Sequence, residues 1–245
     1  MRVLLLGGTA EARELAAELG EHEVIVSLAG ALSAPHPVVG EVRFGGFGGA
    51  DGLADYLRAH AVEAVIDATH PFASRISGNA ALACARTSIP LLRLERPSWA
   101  EREDASSWHW VDDLAAARVR AEELGSRILL AVGRQSLTAF DGWRPGLVVA
   151  RAIEPPAFTL PDGWLLVRGR GPFALADELA LLREHRIEVL AAKDSGGPTT
   201  AKLDAAAELG VALVMVRRPP APDGVAAVAS VAEAQRWLAQ TRRSR

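Results

Sequence analysis

Four apolar residues near the N-terminus, Val3-Leu4-Leu5-Leu6, run without a polar break into Gly7-Gly8-Thr9. An apolar run of that length with no alternation predicts a strand covered on both faces, the habit of a parallel sheet flanked by helices. The two glycines let the backbone turn sharply and let a ligand approach where no Cβ stands in the way. Thr9 is placed to cap a helix, and Ala12, Leu15, Ala16 and Leu19 recur at helical spacing behind it. A buried strand, a glycine turn and a helix N-terminus aimed at the turn make a ready phosphate site. The strict G-x-G-x-x-G fingerprint is absent, because Thr9 and Ala12 stand at its second and third glycines.

Similar units follow. Val24–Leu28 reads as a second strand, with Ser27, Leu28, Ala29 and Gly30 at its end. An NAD-specific site usually keeps an acid at this point for the ribose 2′-hydroxyl. No acid occurs between Glu23 and Glu41, so a 2′-phosphate is tolerated, with Ser27 or Arg43 to meet it. Ala34-Pro35-His36-Pro37 breaks regular structure. Arg43-Phe44-Gly45-Gly46-Phe47-Gly48-Gly49 predicts a loop with unusual backbone angles or a close ligand, anchored by its two phenylalanines. A helix is expected over Asp51–His60 and a strand over Val62–Ile66. Asp67, Thr69 and His70 then fall beyond a strand's carboxyl end, where open α/β sheets bind ligands. Pro71 suits the first turn of a helix running from about Phe72 to Arg86, and Ile89–Leu94 closes the first half as a strand.

Glu95–Ser107 is polar, contains Pro97 and lacks periodicity, which marks a link between two halves; Trp99, Trp108 and Trp110 fit packing at that junction. The second half is expected to carry helices over 112–124, 173–185, 201–209 and 231–238. Its strands are expected at 128–132, 147–150, 165–167, 189–192 and 211–216. The domains are therefore drawn as 1–98, binding a dinucleotide, and 108–245, supplying substrate and cofactor contacts. Arg134, Arg151, Arg168, Arg170, Lys193 and Arg217 gather at strand ends of the second half, a pattern suited to a ligand with several carboxylates or phosphates. Lys193 is one of only 2 lysines against 25 arginines. It precedes Asp194-Ser195-Gly196-Gly197, whose hydroxyl and N–H groups can hold an anion. An ordinary lysine is a poor acid at neutral pH, so Lys193 is expected to contact an anion and not to give a proton.

Composition narrows the function. A net charge of −3 with interspersed signs argues against a nucleic-acid protein. No apolar run approaches a membrane span, and no signal peptide is read at the N-terminus. Cys84, the single cysteine, excludes an internal disulfide and a cysteine-cluster metal site, and a cytoplasmic protein is expected. A monomer or weak homo-oligomer is expected, with no metal. The chain shows no Ser-His-Asp order, paired-carboxylate motif, P-loop or zinc spacing, so the residues alone offer little chemistry and a reaction carried by a bound cofactor fits better.

Five motifs occur in a telling order: Leu5–Arg13, Ser27–Gly30, Gly45–Gly49, Asp67–Ala73 and Lys193–Gly197. Together they resemble the precorrin-6A reductase family of cobalamin biosynthesis, from Arg2 to about Pro219. The resemblance implies an NADPH-dependent enzyme that reduces one double bond of the precorrin-6A macrocycle to give precorrin-6B. It also implies two α/β, Rossmann-like domains with mainly parallel sheets and a ligand cleft between them. Many members are expected to carry a basic residue after Ser-Leu-Ala-Gly, where this chain has Ala31. The expected cofactor contacts are Gly7, Gly8, Thr9, Ser27, Ala29, Gly30, Arg43, Gly46, Thr69, Lys193, Ser195 and Gly196. Arg134, Arg151 and Arg170 are expected on the substrate. The proton that accompanies the hydride is expected from His70, Asp194 or a bound water. The competing readings are a non-catalytic nucleotide- or tetrapyrrole-binding protein and an NADPH reductase of another polyanion.

Overall fold

The computed structural model describes residues 1–30, 37–144 and 146–243. Ala31 and most of the Ala34–Pro37 segment lie outside them. The chain forms two compact units, Met1–Pro97 with Pro219–Arg245, and Ser98–Arg218.

The first unit alternates β1 (Arg2–Leu6), α1 (Ala10–Glu18), β2 (Glu23–Leu28), β3 (Glu41–Phe44), α2 (Gly49–Ala59), β4 (Ala64–Asp67), α3 (Ser74–Thr87) and β5 (Leu91–Leu94). Among the described residues these strands build a six-stranded sheet of order β12-β5-β4-β1-β2-β3, in which β12 (Ala226–Val228) comes from the far end of the chain. Every pairing is parallel. This is the doubly wound order in which connections leave the central strand in opposite directions, opening a crevice beyond β1 and β4. The central run is buried on both faces as its composition requires: Val3, Leu5 and Ile66 join α1, while Leu4, Leu6 and Val65 join α2 and α3.

The second unit begins with two short 3-10 turns and continues through β6 (His109–Val111), α4 (Leu114–Leu124), β7 (Ile128–Ala131), β8 (Val148–Ala152), β9 (Trp164–Arg168), α5 (Leu175–Glu184), β10 (Val189–Lys193), α6 (Ala201–Leu209) and β11 (Ala212–Val216). Its parallel sheet runs β6-β11-β10-β7-β8-β9. Read from β7 this repeats the first sheet's order, with one exchange. The sixth position is filled by β6, a strand that precedes β7 instead of following β11.

That exchange corrects the domain boundary expected at 108–245. β12 pairs with β5, and α7 (Val231–Arg243) buries Val231, Ala234 and Leu238 in the same core as Leu15 and Ala16 of α1 and Leu19 at its C-terminal cap. The final helix was legible, but its place in the first unit was not. β3, β6 and β12 also escaped the apolar-run reading, being short strands at or near sheet edges. The expected link at Glu95–Ser107 is short as well: from Ser98 onward it belongs to the second unit, where Trp99 and Trp108 are core residues. α3 starts at Ser74 and not Phe72, because Ala73 N–H donates to the His70 carbonyl at 2.8 Å and closes a turn first. Among the described residues no helix is long and apolar enough to cross a membrane.

Candidate functional site

At the end of β1, Gly7 N–H donates to the Ser27 carbonyl at 2.9 Å and extends the sheet into the turn. A Cβ on Gly7 would press on Val26 Cγ1 at 3.2 Å, so glycine here lets the turn lie close against β2. Gly8 has φ +118, a conformation that disfavours a side chain, and open space where a Cβ would stand. Thr9 is buried and its hydroxyl is committed twice. It accepts from Ala12 N–H at 3.1 Å as the α1 cap and donates to the Ala68 carbonyl at 2.8 Å. Thr9 therefore ties the glycine turn to the end of β4, and the anion-facing groups left at this helix start are backbone N–H groups. Glu11, the acid of the first helical turn, is paired with Arg96 at 3.2 Å, which offsets its repulsion of an incoming anion.

The ends of β2 and β3 meet through two residues singled out by the sequence. Arg43 Nη1 donates to Ser27 Oγ at 2.8 Å and to the Gly45 carbonyl at 3.1 Å, and Nη2 donates to the Gly46 carbonyl at 3.0 Å. Its guanidinium lies 3.8 Å from the Phe47 ring centroid and 5.1 Å from that of Tyr56. Among the described residues no carboxylate pairs with Arg43. Of the two phenylalanines expected to anchor the glycine loop, Phe44 is exposed, while Phe47 stacks on Arg43, which the loop carbonyls also hold. Ala29 and Gly30 are exposed beyond β2, the latter at φ +71.

Asp67 is the last residue of β4 and not the first beyond it, and the residues at this strand end fold onto one another. Asp67 Oδ1 accepts from Thr69 N–H at 3.1 Å and from Thr69 Oγ at 2.6 Å. Asp67 Oδ2 binds Arg93 at 2.6 Å, with both side chains only 3% exposed. Arg93 also reaches Ser77 Oγ at 2.8 Å and Glu95 at 2.8 Å. Thr69, expected at the cofactor, spends its hydroxyl on this network. Arg93 escaped notice in the sequence because a single arginine inside the apolar run of β5 gives no local sign of its partner 26 residues earlier. His70 Nδ1 accepts from Phe72 N–H at 3.2 Å, so a neutral ring carries its proton on Nε2.

In the second unit, Asp194 is 2% exposed and both its oxygens act as acceptors. Ser98 Oγ donates at 2.6 Å, Trp99 N–H at 3.0 Å, and Arg218 from Nε at 3.0 Å and Nη2 at 3.2 Å. Ser98 and Arg218 are the first and last residues of this unit. Asp194, expected as a possible proton donor, is an anchor for both chain crossings. Trp99 Nε1 adds a bond to the Gly197 carbonyl at 2.8 Å, so the Lys193–Gly197 turn is laced to the start of the unit.

The strand-end arginines divide. Arg151, expected on the substrate, forms a bidentate pair with Glu178, both bonds 2.6 Å, and lies 4.6 Å from the Phe173 ring centroid, so its guanidinium holds β8 to α5. Arg134 pairs with Glu154 at 2.9 Å. Arg217 lies 3.6 Å from Asp112. Arg170 sits in the turn between β9 and α5, and Arg168 is exposed at the end of β9. Lys193, at the end of β10, donates from Nζ to Ser136 Oγ at 2.6 Å. Burial lowers its pKa, which removes the ordinary-lysine premise on which its expected role rested. Ser195 and Gly196 follow, Gly196 at φ +65. Cys84 is a buried thiol, pushed up to about 12 by desolvation. No group of three or more metal-ligating side chains occurs among the described residues.

Comparison with known proteins gives a consistent answer. Residues 2–239 match the family model described as precorrin-6x reductase CbiJ/CobK. The chain is 51% identical over 241 residues to a precorrin-6A reductase of Rhodococcus erythropolis, covering 97% of each. It is 32% identical to a cobalt-precorrin-6A reductase of Priestia megaterium, covering 89% of this chain and 90% of that one. Its structure is similar to that of CobK precorrin-6A reductase, with a TM-score of 0.90 at 38% identity, covering 98% of this chain and 97% of the other.

Proposed function

Because this chain belongs to the precorrin-6x reductase family, we propose that it reduces precorrin-6A to precorrin-6B in cobalamin biosynthesis, with NADPH as the reductant. Reduced nicotinamide, when bound, supplies the hydride. The protein's task is to hold the dinucleotide and the macrocycle in reacting geometry, which can supply much of the rate. The cobalt-free macrocycle is favoured by sequence, since identity to relatives named for it reaches 51% against 32% for a relative named for the cobalt form. A single thiol, buried as Cys84, suits a reducing cytoplasm.

The observation that carries the cofactor reading is the setting of Arg43. An NAD site keeps an acid after the second strand; here that place has Ser27, bonded to a guanidinium already fixed on Phe47. Fixing the cation in advance reduces the ordering cost of binding a phosphate. The Gly7-Gly8-Thr9 turn fits a pyrophosphate on its own evidence: open space at Gly8, backbone N–H groups at the start of α1, and an acid neutralised by Arg96. The test is NADPH oxidation with precorrin-6A under anaerobic conditions, followed by the absorbance of the macrocycle, with NADH and the cobalt-loaded substrate in parallel. Turnover with NADPH and cobalt-free precorrin-6A is expected. Binding of both without any spectral change would favour a carrier protein.

A further inference from the structure

Reduction of a conjugated double bond needs a proton as well as a hydride, and Asp194 is occupied as an anchor. The crevice of the second sheet lies beyond β7 and β10, where its strand order reverses. Lys193 ends β10 at this point, and Ser136 lies in the 3-10 turn Arg134–Phe140 that follows β7. The 2.6 Å bond from Nζ to Ser136 Oγ therefore spans the reversal itself. We propose that Lys193, held by Ser136, donates the proton that completes reduction of the macrocycle. This rests on the precorrin-6A reading of the chain.

The step balances. The hydride brings two electrons and forms one C–H bond at a ring carbon. The π pair of the reduced bond moves to the neighbouring atom and takes a proton from Nζ. The N–H bonding pair stays on nitrogen, leaving a neutral amine. Ser136 then relays a proton from solvent, giving its hydroxyl proton to that amine as it takes one from water in the same motion, and the hydroxide left behind is neutralised by buffer. A hydroxyl both accepts and donates, so it suits the relay in a way a carboxylate partner would not. Burial favours the neutral amine, which brings the lysine nearer to the working pH of a general acid. The charged groups on the flanking elements have partners of their own: Asp194 with Arg218, Arg134 with Glu154 and Arg217 with Asp112.

The full-length Lys193→Ala variant tests this. NADPH and precorrin-6A dissociation constants should stay within about threefold of the parent, while turnover falls about 100-fold or more. Added methylamine should restore turnover in a saturable way. A second readout needs no turnover. With only 2 lysines in the chain, ¹⁵N-lysine labelling gives a short spectrum in which Lys193 should titrate below the ordinary lysine range, and Ser136→Ala should move that titration. Retained turnover in Lys193→Ala, or weakened ligand binding without amine rescue, overturns the proton role and leaves an anion contact. A Lys193 signal with ordinary titration, unmoved by Ser136→Ala, also overturns it. A parent chain that does not oxidise NADPH with precorrin-6A overturns the functional reading, and the dyad's role with it.

Discussion

At the end of β1 the first sheet offers Gly7, Gly8 and a nine-residue α-helix whose first turn is capped by Thr9. At the equivalent end of β7 the second sheet offers Gly133, at φ +82, and a 3-10 turn with no side-chain cap. Strand order is shared; what stands at the reversal is not. A capped α-helix presents aligned N–H groups and a partial positive charge, which suits a phosphate. A 3-10 turn presents poorer alignment, and there the second sheet places side-chain chemistry instead, with Lys193 on Ser136. The two sheets also complete themselves differently, one with a strand preceding its core and one with a strand returned from the end of the chain. On the proposed reading one topology supports two kinds of site, and the residues just past the strands decide which.

The strongest way to break this picture is at the returned segment. Leu238 is fully buried in the core with Leu15 and Leu19. Leu238→Ala should cost roughly 2–5 kcal/mol. Hydrogen exchange should place the loss in β1, β4 and β5, leaving β7 and β10 protected. Loss of protection in the second sheet would mean that Pro219–Arg245 stabilises the other unit.

A comparable cost is expected in the second unit from Asp194→Asn. It removes a charge from a buried pair and leaves Arg218, 18% exposed at its side chain, without its carboxylate. Breaking such a pair costs about 3 kcal/mol. Denaturant unfolding should show the loss, with protection falling around Ser98, Trp99 and the β10 turn. A variant as stable as the parent would show that the four bonds to Asp194 hold nothing together.

The contrast between Asp194 and Arg43 shows where sequence reading reaches its limit. The central strands were legible, because a strand covered on both faces must be apolar throughout, and the glycine turn followed from them; Ser27 and Arg43 were legible only as alternatives for one phosphate, and their bond to each other is a finding of the structure. A residue's type and its position past a strand do not say whether its charge is already spent. Arg43 and Arg151 look alike in sequence, yet one stacks on Phe47 and the other is bidentate to Glu178, 27 residues away. Lys193 shows the same limit, since its pKa depends on burial that only the packed sheet provides. β12 was invisible because Val225–Ala229, though apolar, is alanine-rich, and alanine is depleted in strands.

The cofactor half of the comparison is sharpened at Ser27. Its hydroxyl accepts from Arg43, so Ser27→Asp would repel a 2′-phosphate and give Arg43 an internal carboxylate. On the proposed reading, NADPH affinity should fall about tenfold, or about 1.4 kcal/mol, with NADH affinity held or improved. Arg43→Leu should give a similar loss by removing the cation. Parallel titrations of both dinucleotides check this. An unchanged ratio of the two dissociation constants in both variants would remove this pair from the cofactor.

The smallest effect comes from a matched pair of glycines. Gly8 at φ +118 and Gly133 at φ +82 follow their central strands, and nothing stands within 4 Å of a Cβ placed on either. Alanine at each position meets no neighbour, so the cost is backbone strain alone, about 1 kcal/mol. Thermal unfolding should show similar small losses for the two variants, since the strain is of the same kind. Binding should separate them. If the pyrophosphate lies on the first turn, Gly8→Ala adds a methyl group on its path and weakens NADPH beyond what strain explains. Gly133→Ala, on the sheet assigned to side-chain chemistry, should leave NADPH affinity at the parental value. Equal weakening by both substitutions would show that the second turn also holds the dinucleotide, and the division of labour between the two sheets would have to be redrawn.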